Sequence, residues 1–212
     1  LIMATEFLDF YDSKIQKELL KLFNSTALEV CEGQQLDIEF EKKTDIDFDD
    51  YIEMITKKTS VLIASSIKMG GIINQLDSGE LDILYDIGLN LGIAFQIQDD
   101  YLDLFGDEKI IGKKVGQDVT KNKKTALHHL FVNTASEAQL GKYHDYTNIN
   151  NDDEKIEKIK SLFIESDVEK SLKKLVQEYS NNATSAIESL NPKFSKTSDL
   201  ILLSEFLLKR NY

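Results

Sequence analysis

Proline is almost absent from this chain, with Pro192 alone among 212 residues. A proline inside a helix removes a backbone donor and clashes with the preceding turn, so its scarcity leaves long helices uninterrupted. Cysteine is equally scarce. Cys31 stands by itself, which excludes an intramolecular disulfide framework and leads us to expect a reducing, cytoplasmic setting. No histidine lies near it in sequence, so a buried packing role is expected for it rather than nucleophilic catalysis. Basic charge is short as well: 25 lysines and arginines face 37 acidic residues, a net charge of −12. That balance argues against a general nucleic-acid binder, which presents a basic face. It leaves local anion binding open, because the lysines are clustered. Finally, no run reaches the roughly 18 uncharged apolar residues of a membrane span, and no basic segment followed by an apolar one marks a signal peptide.

What is present is ordinary in amount and periodic in arrangement: 42% of residues are hydrophobic and 29% charged. A chain of this length buries a sizeable core and reads most simply as one domain over 1–212. Apolar residues recur with helical period, and Val, Ile and Thr never alternate with polar residues for long enough to suggest a sheet, so an all-α fold is expected. The periodicity predicts a first long helix over about 13–41, with Leu19, Leu22, Phe23, Leu28, Val30, Leu36 and Phe40 as its apolar positions. A second is expected over 48–74. A third is expected to start at Ser78 as N-cap, with Glu80 and Asp82 in its first turn. Residues 106–120, with three glycines, read as a loop. Further helices are expected over 121–132, 135–144, 154–165, 167–190 and 197–208. Thr134-x-x-Glu137 and Ser166-x-x-Glu169 have the capping-box pattern, and 143–153 reads as an asparagine-rich surface loop. The chain starts at Leu1 already within a helical pattern, so truncation at the N-terminus is expected.

One stretch departs from the rule that apolar runs avoid charge. Within 83–105, Gln96, Asp99, Asp100 and Asp103 fall at i, i+3, i+4 and i+7, one stripe of a helix. Burying three unpaired carboxylates would cost several kcal/mol each, so something positive must meet them. Hard oxygen ligands point to magnesium. The competing reading is a solvated face with accidental acidity.

Three other constellations surround this stripe. Gly33-Gln34-Gln35-Leu36-Asp37 places a glycine inside the first helix, where it costs about 1 kcal/mol against alanine; a close approach by a neighbouring helix or a ligand would explain it. Lys58-Thr59 lies in an apolar helical context. Lys58 either snorkels to solvent or faces the stripe and binds phosphate, with Thr59 as a hydroxyl donor. Gly88 and Gly92 sit one and two turns before Gln96, and leave either a slot under the carboxylates or room for a closely packed helix. After the stripe comes Gly112-Lys113-Lys114-Val115-Gly116-Gln117-Asp118, then Lys121-Asn122-Lys123-Lys124-Thr125. Lysines on a glycine-bearing loop just after an acidic metal site make sense if a diphosphate bridges the two. A surface lysine loop in an acidic protein is the alternative. No strand precedes it and GxxxxGK[ST] is absent, so it is not a P-loop.

GQQLD (33–37), KT (58–59), GIAFQIQDDYLD (92–103) and GKKVGQDVTKNKKT (112–125), in this order and spacing, resemble the trans-isoprenyl diphosphate synthase (polyprenyl synthetase) family. Its bacterial short-chain farnesyl and geranylgeranyl members look most similar. The resemblance covers about 1–130 and continues more weakly to 210. It implies a bundle of long helices around a central cavity, a homodimer, and condensation of an allylic diphosphate with isopentenyl diphosphate using up to three magnesium ions. By the same resemblance Asp99 is a direct metal ligand, and Asp100 and Asp103 act partly through water. Lys58, Lys113 and Lys123 hold the allylic diphosphate, Thr59 and Gln96 lie near the reacting carbon, and Gln34 and Asp37 belong to a helix facing the cavity.

Two departures accompany the resemblance. The family's first aspartate-rich motif, DDxx(xx)D followed by arginines, does not occur in the 212 residues, and the residues that hold isopentenyl diphosphate are missing with it. The chain therefore reads as the C-terminal two thirds of a prenyltransferase, inactive as a fragment alone. The alternative is a noncatalytic or regulatory subunit of a heteromeric synthase. A carboxylate-bridged di-iron bundle is excluded, since it needs Glu-x-x-His pairs and none of His128, His129 or His144 has a glutamate three positions earlier.

Overall fold

The computed structural model describes residues 10–43, 46–112, 114–190 and 197–208. Among the described residues every regular element is helical and no strand occurs, as the periodicity predicts. Pro192, Lys113 and residues 1–9 lie outside them.

Helix α1 (Ser13–Phe40) starts where Asp12 accepts from the backbone N–H of Lys14 and Ile15 at 2.9 and 3.0 Å, satisfying donors that the first turn leaves unpaired. The expected second helix is right in extent but not in winding. It consists of α2 (Phe48–Ile55), a π-turn (Thr56–Ser60) and α3 (Val61–Ile73). The Val61 N–H reaches back five residues to Thr56 O, the wider turn that marks functional sites more often than chance.

Helix α4 (Ser78–Phe105) spans 28 residues. Its N-cap is Asp77, not Ser78: Asp77 and Glu80 cap each other's backbone N–H at 3.0 and 3.1 Å, so a carboxylate one position earlier takes the role. The stretch 106–120, expected as a loop, contains two single-turn helices, α5 (Glu108–Ile111) and α6 (Gln117–Thr120), each bordered by a glycine in the left-handed region. Helix α7 (Ala126–Thr134) begins five residues later than expected: Lys123 N–H turns back to Asp118 O, and Thr125 is extended before Ala126. Helix α8 (Glu137–Thr147) is boxed by Ser136 and Gln139 rather than Thr134 and Glu137, and it takes up part of the expected surface loop. After α9 (Asp152–Glu165), α10 (Val168–Ser189) starts without a side-chain cap. The Ser166–Glu169 box does not form, since Ser166 donates to Phe163 O and Glu169 accepts from Tyr101 and Lys173 instead. Helix α11 (Thr197–Leu208) closes the described chain.

Helix α4 is the axis of this arrangement. Leu84, Ile87 and Leu91 pack with Ala183 and Ile187 of α10. Further along, Ile93, Ile97 and Leu104 join Tyr51, Leu127, Phe131, Ile159 and Phe163 in the largest core cluster. On another side α3 and the π-turn approach so closely that side chains have no room. A Cβ on Gly88 would sit 2.3 Å from Ala64 Cα, and one on Gly92 would sit 2.5 Å from Ser60 Cα. The two glycines therefore serve helix packing, not an open slot. Cys31 is exposed, against the expectation of a buried packing role: the face of α1 that carries it points away from α3. Leu28 is 61% exposed and is not a core position either.

Glycine should therefore respond to substitution with opposite signs in adjacent helices. Gly88→Ala forces two backbones apart and lowers stability by about 1–3 kcal/mol. Gly70→Ala, in the last turn of α3, meets nothing within 4 Å and raises stability by about 0.5–1 kcal/mol. Urea unfolding followed by circular dichroism distinguishes the two, and equal effects would contradict the packing.

Candidate active site

Helices α1, α2 and α4, the π-turn and the turn after α6 surround a cleft of about 190 Å³. Its lining mixes both charges: Gln96, Asp99, Asp100 and Asp103 of α4 meet Lys58, Lys121, Lys123 and Lys124 there, with Asp37, Glu41 and Asp118 among them. The stripe read from sequence therefore lines this cleft, and lysines that follow it in the chain line it too.

The lysines are gathered through α1. Gly33 lies against the π-turn so tightly that a Cβ would come within 2.3 Å of Lys58 N. One turn later, Asp37 accepts from Lys58 Nζ at 2.7 Å and from Lys123 Nζ at 3.1 Å. Burial alone would raise the Asp37 pKa, but the two ammonium groups outweigh it and hold the carboxyl below its ordinary range. Burial likewise opposes the charge on Lys123, and Asp37 overcomes it to lift that lysine's pKa. Lys124 is tied to the backbone carbonyl of Lys43. Lys114 pairs with Asp153 at 2.9 Å on the exposed surface and does not line the cleft.

The carboxylate stripe is less uniform than the spacing suggests. Asp100 is only 6% exposed. Its Oδ2 accepts from the hydroxyl of Tyr51 at 2.7 Å and from the N–H of Ala126 at 3.0 Å. Its Oδ1 accepts from the Gln96 amide at 3.2 Å, and Gln96 Oε1 accepts from Thr59 at 2.8 Å. A chain of hydrogen bonds thus runs from the π-turn through Gln96 into the core. Burial dominates the ionisation of Asp100 and pushes its pKa up to about 7, although Tyr51 and Ala126 pull it down. Tyr51 is 2% exposed, and burial next to Asp100 drives its own pKa well up. Asp103, also buried, accepts from the Asp118 N–H at 3.0 Å and from Gly116 N–H through its backbone carbonyl. These bonds anchor the glycine loop to the end of α4.

Nine of the ten expected site residues lie within the described chain. Asp37, Lys58, Gln96, Asp99, Asp100, Asp103 and Lys123 meet in the cleft, and Thr59 joins through Gln96. Gln34 does not: it is exposed on α1 and is not among the lining residues. Lys113 lies outside the described residues. Two contributors carry no assigned role in the sequence reading. Tyr51 anchors Asp100, and only its helical position two turns before Lys58 hints at a shared face. Asp118 lines the cleft and was legible only as the last letter of the glycine-loop motif.

Among the described residues no three acidic, histidine or cysteine side chains converge on a cage that could hold a metal alone. Asp100 has both oxygens engaged, while Asp99 lies half-buried on the cleft wall one turn before Asp103. An all-oxygen set with one or two carboxylates suits a hard divalent cation, which completes its shell with water and with phosphate from a bound ligand.

Comparison with known proteins gives a consistent picture. A family model described as polyprenyl synthetase matches residues 1–165. A short chain isoprenyl diphosphate synthase of Methanothermobacter thermautotrophicus is 42% identical over 126 residues, which cover 59% of this chain and 39% of that protein. A crystal structure of a geranylgeranyl pyrophosphate synthase superposes with a TM-score of 0.90 and 38% identity, covering all of this chain and 66% of that one. A geranylgeranyl pyrophosphate synthase from Corynebacterium glutamicum, complexed with isoprenyl diphosphate and magnesium, has a TM-score of 0.85 at 23% identity. It covers 94% of this chain and 57% of its own, and at that identity it bears on the fold alone. The chain thus spans about two fifths of the curated relative and less than two thirds of either structure.

The buried acid makes a pH-dependent prediction for the metal-free protein. A carboxyl with a folded pKa of about 7, against about 3.9 unfolded, keeps a proton in the folded state that the unfolded chain has lost. Its contribution to stability is full below about pH 4 and is lost as pH rises through 7. Asp100→Asn, whose side-chain oxygen can still accept from Tyr51 and Ala126, removes that dependence. Between pH 5 and pH 8 in chelator, wild type should lose about 2 kcal/mol more than the variant. Parallel urea midpoints across that range would contradict the assignment.

Proposed function

The chain belongs to the polyprenyl synthetase family, and on that premise we propose that its cleft binds and ionises the allylic diphosphate of a magnesium-dependent prenyl chain elongation. The observation that carries this reading is that Asp99 and Asp103 line the same cleft as Lys58 and Lys123. A diphosphate fits beside those carboxylates only with cations between them. Asp99 and Asp103 would hold magnesium, which would supply charge neutralisation to the phosphate oxygens. By family resemblance, Lys113 would hold the diphosphate together with Lys58 and Lys123.

The rest of the chemistry falls to the side chains. Lys58 and Lys123 take up the negative charge that gathers on pyrophosphate as the allylic C–O bond breaks. Thr59 spends its proton on Gln96, so the lone pairs of its hydroxyl remain for the allylic cation. Gln96 is held by Thr59 on one side and Asp100 on the other, and presents a fixed dipole to the same cation. Isopentenyl diphosphate attacks it, and the departing pyrophosphate removes the proton. No histidine lines the cleft, in keeping with a reaction that needs no protein base. Farnesyl or geranylgeranyl diphosphate is the proposed product.

Assembly as a homodimer is part of the reading. It follows from the family resemblance, and Leu28 of α1 and Leu62 of α3, 61% and 56% exposed, are available to such a contact. Among the described residues no helix is long and apolar enough to cross a membrane. The proposed cytoplasmic setting rests instead on the single cysteine, Cys31.

The test is a condensation assay on the natural protein that carries this chain, with radiolabelled isopentenyl diphosphate and dimethylallyl, geranyl or farnesyl diphosphate. A longer prenyl diphosphate should form with magnesium and not with chelator. Lys58→Ala and Lys123→Ala should each lower kcat/KM by about 10–100-fold, the worth of a hydrogen bond to a charged group. Absence of product with all three starters would overturn the proposal.

A further inference from the structure

Two ammonium groups in one cleft repel each other, and the element that holds them together is itself an acid. Lys58 comes from the π-turn, Lys123 from the turn after α6, and Asp37 from α1. Asp37 offers one oxygen to each: Oδ2 accepts from Lys58 at 2.7 Å and Oδ1 from Lys123 at 3.1 Å, with Glu41 a weaker neighbour of Lys123 at 3.8 Å. A carboxylate beside an anion site is the wrong charge to bind the anion. Its exposure points the same way: the Asp37 side chain is 13% exposed, against 32% for Lys58 and 21% for Lys123. The acid is the least exposed of the three, though it too lines the cleft. An ammonium has three N–H donors, so a lysine that gives one to Asp37 keeps the others for a ligand.

We propose that Asp37 is a positioning residue that tethers Lys58 and Lys123 to each other and thereby sets the spacing of the two cations that grip the diphosphate. This rests on the reading of the cleft as a diphosphate site. It gives the GQQLD segment a single purpose: Gly33 admits the close approach of α1 to the π-turn, and Asp37, one turn on, uses that approach to hold both lysines. The tether acts by preorganisation, reducing the ordering that two flexible side chains undergo on binding.

Calorimetric titration of inorganic pyrophosphate into the chain with magnesium chloride tests it without turnover. Asp37→Asn should weaken binding about tenfold, and Asp37→Glu, which keeps a carboxylate, should recover most of the loss. Combined with Lys123→Gln, the Asp37→Asn change should cost less than it does alone, because one of the two tethered groups is already gone. If Asp37→Asn fails to fold, Asp37→Ser removes the carboxylate in its place. Unchanged or tighter binding by the variant would overturn the tether, since Asp37 would then be a bystander or a competitor of the ligand. A loss that stays fully additive with Lys123→Gln would overturn it too, by showing that Asp37 acts through something other than the lysine pair. If wild type takes up no pyrophosphate, the diphosphate reading fails and the tether fails with it.

Discussion

The cleft depends on backbones coming closer than side chains would permit. Gly33, Gly88 and Gly92 lie on two different helices, yet all three press on one segment, the π-turn and the start of α3. At each, an added Cβ would fall 2.3–2.5 Å from a backbone atom. Overlap of that degree cannot be relieved by turning a side chain, so the three positions fix where α1 and α4 stand relative to Lys58 and Thr59. With α1 and α4 held in that way, Asp37 reaches Lys58, and Gln96 reaches Thr59, at hydrogen-bond distance.

The wide turn and the close packing serve each other. A π-turn accommodates one more residue than an α-helical turn, which shifts the faces of α2 and α3 relative to each other. Tyr51 of α2 can then point into the core toward Asp100, while Ala64 of α3 lies under Gly88. In a continuous α-helix of the same sequence these two faces would keep the ordinary 3.6-residue register and could not be matched to α4 in the same way. The region around Thr56–Ser60 thus joins packing to chemistry.

Charge is distributed with the same economy. A chain with net charge −12 gathers four lysines in the lining of a single cleft, together with the carboxylates of α4. The acids differ in function because they differ in surroundings. Asp37 is held ionised by two ammonium groups. Asp100 is buried among neutral donors, with a pKa near neutrality, and orders Gln96 and the start of α7 through hydrogen bonds. Asp103 ties the glycine loop to α4. Asp99 lies half-buried on the cleft wall. Three carboxylates that look equivalent as a stripe thus occupy three environments.

The all-helical fold and the approximate extent of the long helices were legible in the sequence, and motif order already grouped the stripe, the lysine turn and the Lys58-Thr59 pair as candidates for one site. Helical period and motif order are local properties, and local properties survive without coordinates. The cap positions were less legible, because Asp77 and Ser136 outcompete neighbours that fit the same patterns. What only the tertiary structure decided are the pairings across elements. Asp37 joins lysines 21 and 86 residues away, and Tyr51 meets Asp100 at a separation of 49. The glycines of α4 turn out to face backbone rather than an open slot. A sequence states which groups a helix face carries. Which of them is buried, neutralised or left facing a ligand is set by the helix packed against it, and that contact forms only when the chain folds.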